Sequence, residues 1–302
     1  MPLSKLPDPD DPQTRMLALS KATPAVGALM SSLLAFNLAQ TASTALIPVA
    51  PGAFRKFNRW AANVWWGWCV STGRLMNNNQ LVITGDDVPM RENAIVILNH
   101  QNMPDITWLM DYAHQKDRLG DMKWLVKDII KYVPGVGWGM LFIDCIFIKR
   151  DWTKDRDHIR QTFAKLRDND VPVWFISFSE GTRITPEKLA QSQAYAREHG
   201  LHVPRHTLVP RTKGFTATVE GLRDHVDAVY DCTLGYVEGV PTLWQFIQGY
   251  APKAHLHVRR FPIDCLPTDE PALADWLLER FREKDELLEH YYQNGAFPNA
   301  AG

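Results

Sequence analysis

The distribution of apolar and polar positions divides the chain into an N-terminal apolar part and a longer mixed part. No charged residue occurs from Ala22 to Phe54, and four tryptophans follow within residues 60–68. A helix needs about 20 apolar residues to cross a bilayer, and Trp favours membrane interfaces. The pattern predicts a spanning helix, or a helical hairpin in one leaflet with residues 57–73 as its second arm. A buried helix of a soluble protein is a third alternative.

The pattern changes near residue 75 to short apolar runs separated by helical stretches. Residues 94–100 form a continuous apolar run that ends in polar residues, as buried parallel strands do. Further candidate strands are 145–149, 172–178, 206–210, 226–234 and 256–261. Helical periodicity is found over 151–169, 185–200 and 271–292. This alternation predicts an α/β domain.

These patterns predict four regions along the chain. Residues 1–20 are polar and rich in Pro and Asp, which predicts a disordered tail. Residues 21–74 are expected to form the membrane-associated helical hairpin, 75–292 a catalytic domain, and 293–302 a C-terminal tail.

Composition and charge exclude several classes of function. Apolar residues make up 45% of the chain, charged residues 22%, and the net charge is −1. A protein with this charge has no overall field that attracts nucleic acid. The four cysteines form no CxxC pair, so neither a zinc site nor dithiol chemistry is expected. We expect no metal and no cofactor.

The first candidate for chemistry is the pair His100 and Asp105, at the end of the run 94–100. The two side chains could not meet within one helix, because residues five apart lie on different faces. They can meet if His100 ends a strand and Asp105 begins a helix, as Pro104 indicates. A carboxylate bonded to one imidazole nitrogen leaves the other nitrogen as a base. The spacing alone is a weak signal, since a core His beside a helix cap has the same pattern.

Basic and turn-forming residues follow three other candidate strands. Residues 180–183 (Glu180, Gly181, Thr182 and Arg183) follow the run 172–178, and Lys149 and Arg150 follow the run 145–149. Pro210 and Lys213 lie where another strand was expected to give way to a helix. Each group alone is typical of a solvated basic loop. Ligands of open α/β sheets bind at the carboxyl ends of the strands, so together they predict an anion site beside the His–Asp pair.

Four ordered blocks carry a resemblance to a known family. They are NHQNMPD, GVGWGMLFIDCIFIKRDW, FSEGTR and VPRTKGF, and the likeness extends from about residue 80 to 298. The sequence resembles the 1-acylglycerol-3-phosphate O-acyltransferases (lysophosphatidic acid acyltransferases), in their eukaryote-type branch, within the glycerolipid acyltransferase superfamily. Two departures are Ser179 in place of the usual Pro of the third block, and an end at Gly302 without further hydrophobic segments.

The resemblance implies a mixed, largely parallel sheet flanked by helices, and direct acyl transfer from acyl-CoA to the sn-2 hydroxyl of a lysolipid. It implies that His100 is the base and Asp105 its partner. It also implies that Arg183, Lys149, Arg150 and Lys213 hold the phosphate, and that Glu180 orients its loop. Acyl-CoA is a co-substrate here, and the bilayer and the lysophospholipid are the other partners.

Several alternatives stay open at this stage. The acceptor could be another lysophospholipid, such as lysophosphatidylinositol or lysocardiolipin. The His–Asp pair could act on water in a lipid hydrolase or thioesterase, although no GxSxG motif is present. A non-catalytic lipid-binding protein is the third alternative. The expected location is a membrane: the cytoplasmic membrane in a bacterium, or the endoplasmic reticulum or another endomembrane in a eukaryote.

Overall fold

A computed structural model describes residues 4–149 and 152–298, apart from the side chains of 152–154. Its strands are β1 (Gln80–Gly85), β2 (Ala94–Leu98), β3 (Met122–Lys127), β4 (Ile146–Ile148), β5 (Trp174–Ser177), β6 (Ala228–Gly235) and β7 (Lys253–Pro262). The helices are α1 (Pro12–Ser43), α2 (Pro51–Asn77), α3 (Pro104–Gln115), α4 (Val136–Leu141), α5 (Trp152–Asp168), α6 (Pro186–Glu198), α7 (Thr212–Leu222), α8 (Leu243–Ile247) and α9 (Glu270–Asn294).

All seven strands of the described residues lie in one mixed sheet, in the order β1-β7-β6-β2-β5-β3-β4. The strands β6, β2, β5, β3 and β4 are mutually parallel, whereas β7 is antiparallel to β6. The carboxyl ends of five strands therefore meet at one edge. The predicted fold class, a largely parallel sheet flanked by helices, is confirmed.

Helices cover both faces of the sheet because alternate strand residues supply two separate cores. On one face, Trp108, Tyr112 and Trp66 from α3 and α2 pack against Val96 and Leu98 of β2. On the other face, α5, α7 and α9 pack against side chains of β2 and β5. The central strand β2 is completely buried, which explains its uninterrupted apolar sequence.

Two predicted elements differ from the structure. Residues 206–210 do not form a strand, because their backbone N–H groups bond to the carboxylates of Asp285 and Glu180 and to the Ser192 hydroxyl. The Gly-rich stretch before β4, interpreted as a loop, contains α4. Neither β1 nor β3 was predicted, because their residues are only partly buried and lack a clear pattern.

The N-terminal tail also differs from the prediction. Asp11 caps α1 by accepting hydrogen bonds from the N–H groups of Gln13 and Thr14, so the helix begins at Pro12 and not at residue 21. Before it, Leu6 is buried and its N–H donates to the Val240 carbonyl at 3.1 Å. Residues 4–20 are therefore ordered by tertiary hydrogen bonds and a helix cap, which composition does not report.

Polar residues of the N-terminal hairpin point inward, and many of its apolar residues point outward. Asn37 donates to Gln40 at 3.1 Å, and Asn58 of α2 donates to Ser43 at 3.0 Å, all four side chains being buried. Leu34 and Leu38 of α1 are exposed, as are Trp60 and Trp68 of α2. A helix in water has the opposite arrangement, whereas helices in lipid pair their polar groups internally.

Candidate active site

The turn after β2 brings His100 and Asp105 together. Leu98 ends the strand and Pro104 begins α3, so Asp105 is in the first turn of the helix. His100 Nδ1 lies 3.0 Å from Asp105 Oδ2. The contact predicted from the strand-to-helix transition is confirmed.

Asp105 is completely buried and has a donor on each oxygen. Its Oδ2 atom also accepts hydrogen bonds from the N–H groups of Gln101, at 2.6 Å, and Asn102, at 2.9 Å. The Tyr236 hydroxyl donates to Oδ1 at 2.8 Å. Because an ionised carboxylate only accepts, His100 holds its proton on Nδ1, and Nε2 keeps a free lone pair.

The His100 ring lies against Phe178, with the ring centroids 4.2 Å apart. Its side chain is 12% exposed, and its Nε2 atom makes no hydrogen bond within the described residues. The imidazole is thus held in place on one side and open to an incoming group on the other. This arrangement suits a general base.

Glu180, at the end of β5, holds the backbone on both sides of the site. Its carboxylate accepts hydrogen bonds from the N–H groups of His100, at 2.9 Å, and Leu208, at 3.1 Å. Burial raises the pKa of this carboxyl to about 8, although the two N–H donors act in the opposite direction. Both oxygens face backbone groups, so Glu180 orients the turn, as expected.

The turn after Glu180 collects cations beside the His–Asp pair. Gly181 has φ +70°, and a Cβ atom there would lie 3.0 Å from the Arg211 side chain. Arg183 is exposed, and its Nη1 atom donates to Asn102 Oδ1 at 3.1 Å. Lys188 Nζ donates to the Thr182 hydroxyl at 2.6 Å. Two guanidinium groups and one ammonium group therefore surround this turn, as an anion site requires.

The other predicted cations lie at various distances from this turn. Lys149 follows β4 at the same edge, but β3 separates β4 from β5, so it lies roughly two strand spacings, or ~10 Å, along the sheet. It lines a separate cavity with Lys131, Asp144 and other residues. Arg150 lies outside the described residues. Pro210 is buried, and Lys213 is exposed in the first turn of α7.

Sequence reasoning missed Tyr236, Asn102, Lys188 and Arg211 as members of the site. Tyr236 directly follows β6, so the rule that ligands bind at the carboxyl ends of parallel strands could have found it. Arg211 was part of the fourth block, but nothing in the sequence distinguishes it from Lys213. Asn102 lies inside the first block and could be identified only by its bond to Arg183.

Comparisons with known proteins place these features in a family. A family model described as Acyltransferase matches residues 80–233, and one described as Acyltransferase C-terminus matches residues 245–301. The chain is 36% identical over 270 residues to human 1-acyl-sn-glycerol-3-phosphate acyltransferase gamma, covering 88% of this chain and 72% of the relative.

Two further matches extend the comparison. The chain is 33% identical over 225 residues to probable 1-acyl-sn-glycerol-3-phosphate acyltransferase 5 of Arabidopsis thaliana, covering 74% of this chain and 60% of the relative. The crystal structure of the 1-acyl-sn-glycerophosphate acyltransferase PlsC from Thermotoga maritima matches with a TM-score of 0.45 and 16% identity, covering 85% of this chain and 96% of that one. By the family model and the curated relatives, the chain belongs to the acyltransferase family.

Proposed function

We propose that this protein transfers an acyl group from acyl-CoA to the sn-2 hydroxyl of 1-acylglycerol-3-phosphate, forming phosphatidic acid. The observation that carries this proposal is the contact between His100 and Asp105 beside the Arg183 turn. The relatives described above are named for the same acceptor. A base next to a cationic turn suits a substrate whose reacting alcohol and phosphate lie on one glycerol.

Transfer takes place without an acyl-enzyme. His100 Nε2 accepts the proton of the substrate hydroxyl while its oxygen attacks the thioester carbonyl. Asp105 stabilises the imidazolium that forms. The C–S bond then breaks, and the imidazolium returns the proton to the departing thiolate of coenzyme A. The donors on Asp105 keep its carboxylate in position throughout these steps.

The acceptor phosphate is bound by the cations around the turn at residues 181–183. Arg183 and Arg211 offer paired donors for phosphate oxygens, and Lys188 adds a point charge. Lys149, Arg150 and Lys213 complete the proposed site from its outer side. A lysolipid without a charged phosphomonoester would have fewer groups to engage there.

Attachment to a membrane through α1 and α2 brings the site to its lipid substrates. One helix, Pro12–Leu46, is long and apolar enough to cross a membrane, with a mean hydropathy of 1.4, and 17% of its apolar window is buried. Its outward apolar surface and inward polar pairs fit a lipid surrounding. The compartment follows from the organism and not from these features.

A lysolipid panel tests the proposed function. Membranes containing the protein are supplied with acyl-CoA and with lysophosphatidic acid, lysophosphatidylinositol or lysocardiolipin, and each product is quantified. We expect the highest turnover with lysophosphatidic acid. Free fatty acid formed without any acceptor would instead indicate a thioesterase, and no turnover on any lysolipid would reject an acyltransferase.

The His100→Ala variant tests the catalytic assignment. We expect kcat to fall at least 100-fold, or about 10² in rate, because general-base catalysis contributes on this scale. His114→Ala is the control, since His114 is an exposed histidine in the last turn of α3. Equal activity of the His100 variant and the parent would remove His100 from the mechanism.

A further inference from the structure

The crossover between β3 and β4 exposes an apolar surface that the proposed reaction does not use. Ile129 is 64% exposed and Tyr132 66%. The other exposed large apolar side chains there are Val133, Val136, Trp138 and Leu141. No charged residue occurs over residues 132–143. We name residues 129–141 the β3–β4 segment; proteins in water rarely expose so many neighbouring apolar side chains without a partner.

The β3–β4 segment packs directly beside the N-terminal hairpin. A Cβ atom at Gly135 would lie 2.8 Å from the Leu33 side chain, and one at Gly139 would lie 3.6 Å from Asn37. Phe142, just after the segment, stacks edge-on with Phe54 of α2 at a centroid distance of 6.4 Å. Small residues four apart allow such close helix packing. The exposed surfaces of α1 and of the segment are thus neighbours.

The chemistry of the segment favours lipid over protein as its partner. Tyr132 and Trp138 have rings with an apolar body and one polar atom, the type enriched at membrane interfaces. Lys127 and Lys131 lie at its start, where ammonium groups would reach phosphate head groups. The segment leaves the carboxyl end of β3, the edge of the sheet that carries the candidate active site.

We propose that the β3–β4 segment is a second membrane-contacting element, which inserts into the same leaflet as the hairpin. The proposal rests on the membrane attachment proposed above for α1 and α2. The catalytic domain would then touch the leaflet at two places, the hairpin and the crossover beside β5. Two contacts fix the tilt of the sheet, so that its catalytic edge faces the head groups.

Spin labels at single cysteines test this contact in the full-length protein. Cys69 and Cys265 are changed to Ser, and the remaining Cys145 and Cys232 are buried, which raises the pKa of both thiols to about 12 and suppresses their labelling. Nitroxides are placed at Trp138→Cys, Leu38→Cys or Met90→Cys, with the protein in vesicles of phosphatidylcholine and phosphatidylglycerol. Oxygen, which concentrates in lipid, and a water-soluble nickel complex then compete to relax each label.

Met90→Cys is the matched control, because Met90 is 58% exposed but lies before β2, at the opposite edge of the sheet. We expect oxygen to relax the labels at positions 138 and 38 more than nickel does, and the reverse at position 90. A label at 138 as accessible to nickel as that at 90, with 38 in lipid, overturns this inference alone. Nickel access at both 138 and 38 overturns membrane attachment as well. Acyl transfer in detergent micelles verifies that each labelled variant is folded.

Discussion

At the scale of single residues, Asp105 is the point on which the candidate site converges. It is buried, and four donors surround it: one imidazole, one phenol and two backbone N–H groups. Each donor restricts where the carboxylate can lie, and so where the His100 ring can lie. Removing one donor should therefore weaken catalysis without touching the substrate.

The Tyr236→Phe variant removes only the hydroxyl that donates to Asp105 Oδ1. A hydrogen bond to a charged group is worth about 1.5–3 kcal/mol, so we expect kcat to fall about tenfold or more. KM for the acceptor should stay unchanged, because the cationic turn is intact. Steady-state kinetics measures both constants.

Tyr112→Phe is the matched control for this change. The Tyr112 hydroxyl is equally buried, but it has no hydrogen-bond partner among the described residues. We expect parental kcat from this variant. A similar loss of kcat in both variants would mean that general packing, and not the bond to Asp105, causes the effect.

Glu180 couples the stability of the site to pH. Its pKa is raised from 4.5 to about 8, mainly by burial, so the folded state binds more protons than the unfolded state between these values. The folded protein should therefore lose stability as pH rises through this window, by at most a few kcal/mol from this group. Glu180→Gln should lower stability at all pH values, since one backbone N–H loses its acceptor, but it should remove this pH-dependent loss.

Thermal unfolding in detergent across this pH window tests the prediction. The exposed Glu198→Gln variant should keep the pH dependence of the parent. Parallel curves for the parent and Glu180→Gln would contradict the raised pKa.

Part of the site could be predicted from residues alone, and part could not. His100 and Asp105 were placed correctly because a strand end, a proline and five positions of separation are local features. Arg211 and Lys213 are two residues apart, and only the turn at Gly181 decides that Arg211 lies over it. Such a choice depends on a contact between residues about thirty positions apart, which no local pattern contains.

At the scale of elements, α9 stabilises the sheet and the loops at its catalytic edge. Lys284 is completely buried and forms an ion pair with Asp231 of β6, which also pairs with Arg259 of β7. Burial alone would raise the pKa of Asp231, but these two cations outweigh it and lower the pKa. One residue further, Asp285 accepts the N–H groups of residues 205–207.

Lys284→Met leaves the buried Asp231 carboxylate with one of its two cations. We expect the free energy of unfolding to fall by about 3 kcal/mol, because an incompletely paired buried charge is costly. Arg282→Met is the control on the same helix, and should cost under about 1 kcal/mol, because its pairs with Glu279 and Glu286 are partly exposed. Denaturant unfolding compares the two, and equal losses would show that the buried ion pair has no special role.

Elements were predictable where their own residues decide their structure. Strands β2, β5 and β6 were found because each is buried along its whole length. The stretch 206–210 has the same branched residues, yet its N–H groups bond to Asp285, nearly eighty positions away. Composition predicted disorder for residues 1–20 for the same reason, since the partner of Leu6 lies at Val240.

At the scale of the whole molecule, the hairpin is fastened to the catalytic domain at both ends. Before α1, the chain pairs with Val240, and Gln245 donates to the Leu6 carbonyl at 3.0 Å. Along α2, Arg59 pairs with Asp121 and Arg74 with Asp111. The hairpin therefore enters and leaves on the side of the membrane where the catalytic domain lies. This favours the leaflet-embedded hairpin over the spanning helix.

The last prediction follows from this attachment: both chain termini lie on one side of the membrane. With tags at the two ends, sealed vesicles should expose both tags to added protease, or protect both until detergent opens the vesicles. Exposure of one tag and protection of the other would require α1 to cross the bilayer. It would also require Leu6 and Val240 to separate, because hydrogen-bonded segments cannot occupy opposite sides of a hydrocarbon layer about 30 Å thick. A Gly239→Val variant provides an internal check, since a Cβ atom there would lie 3.0 Å from Leu6 backbone atoms. It should loosen the N-terminal segment and speed proteolysis at residues 4–8 without changing the side on which either tag lies.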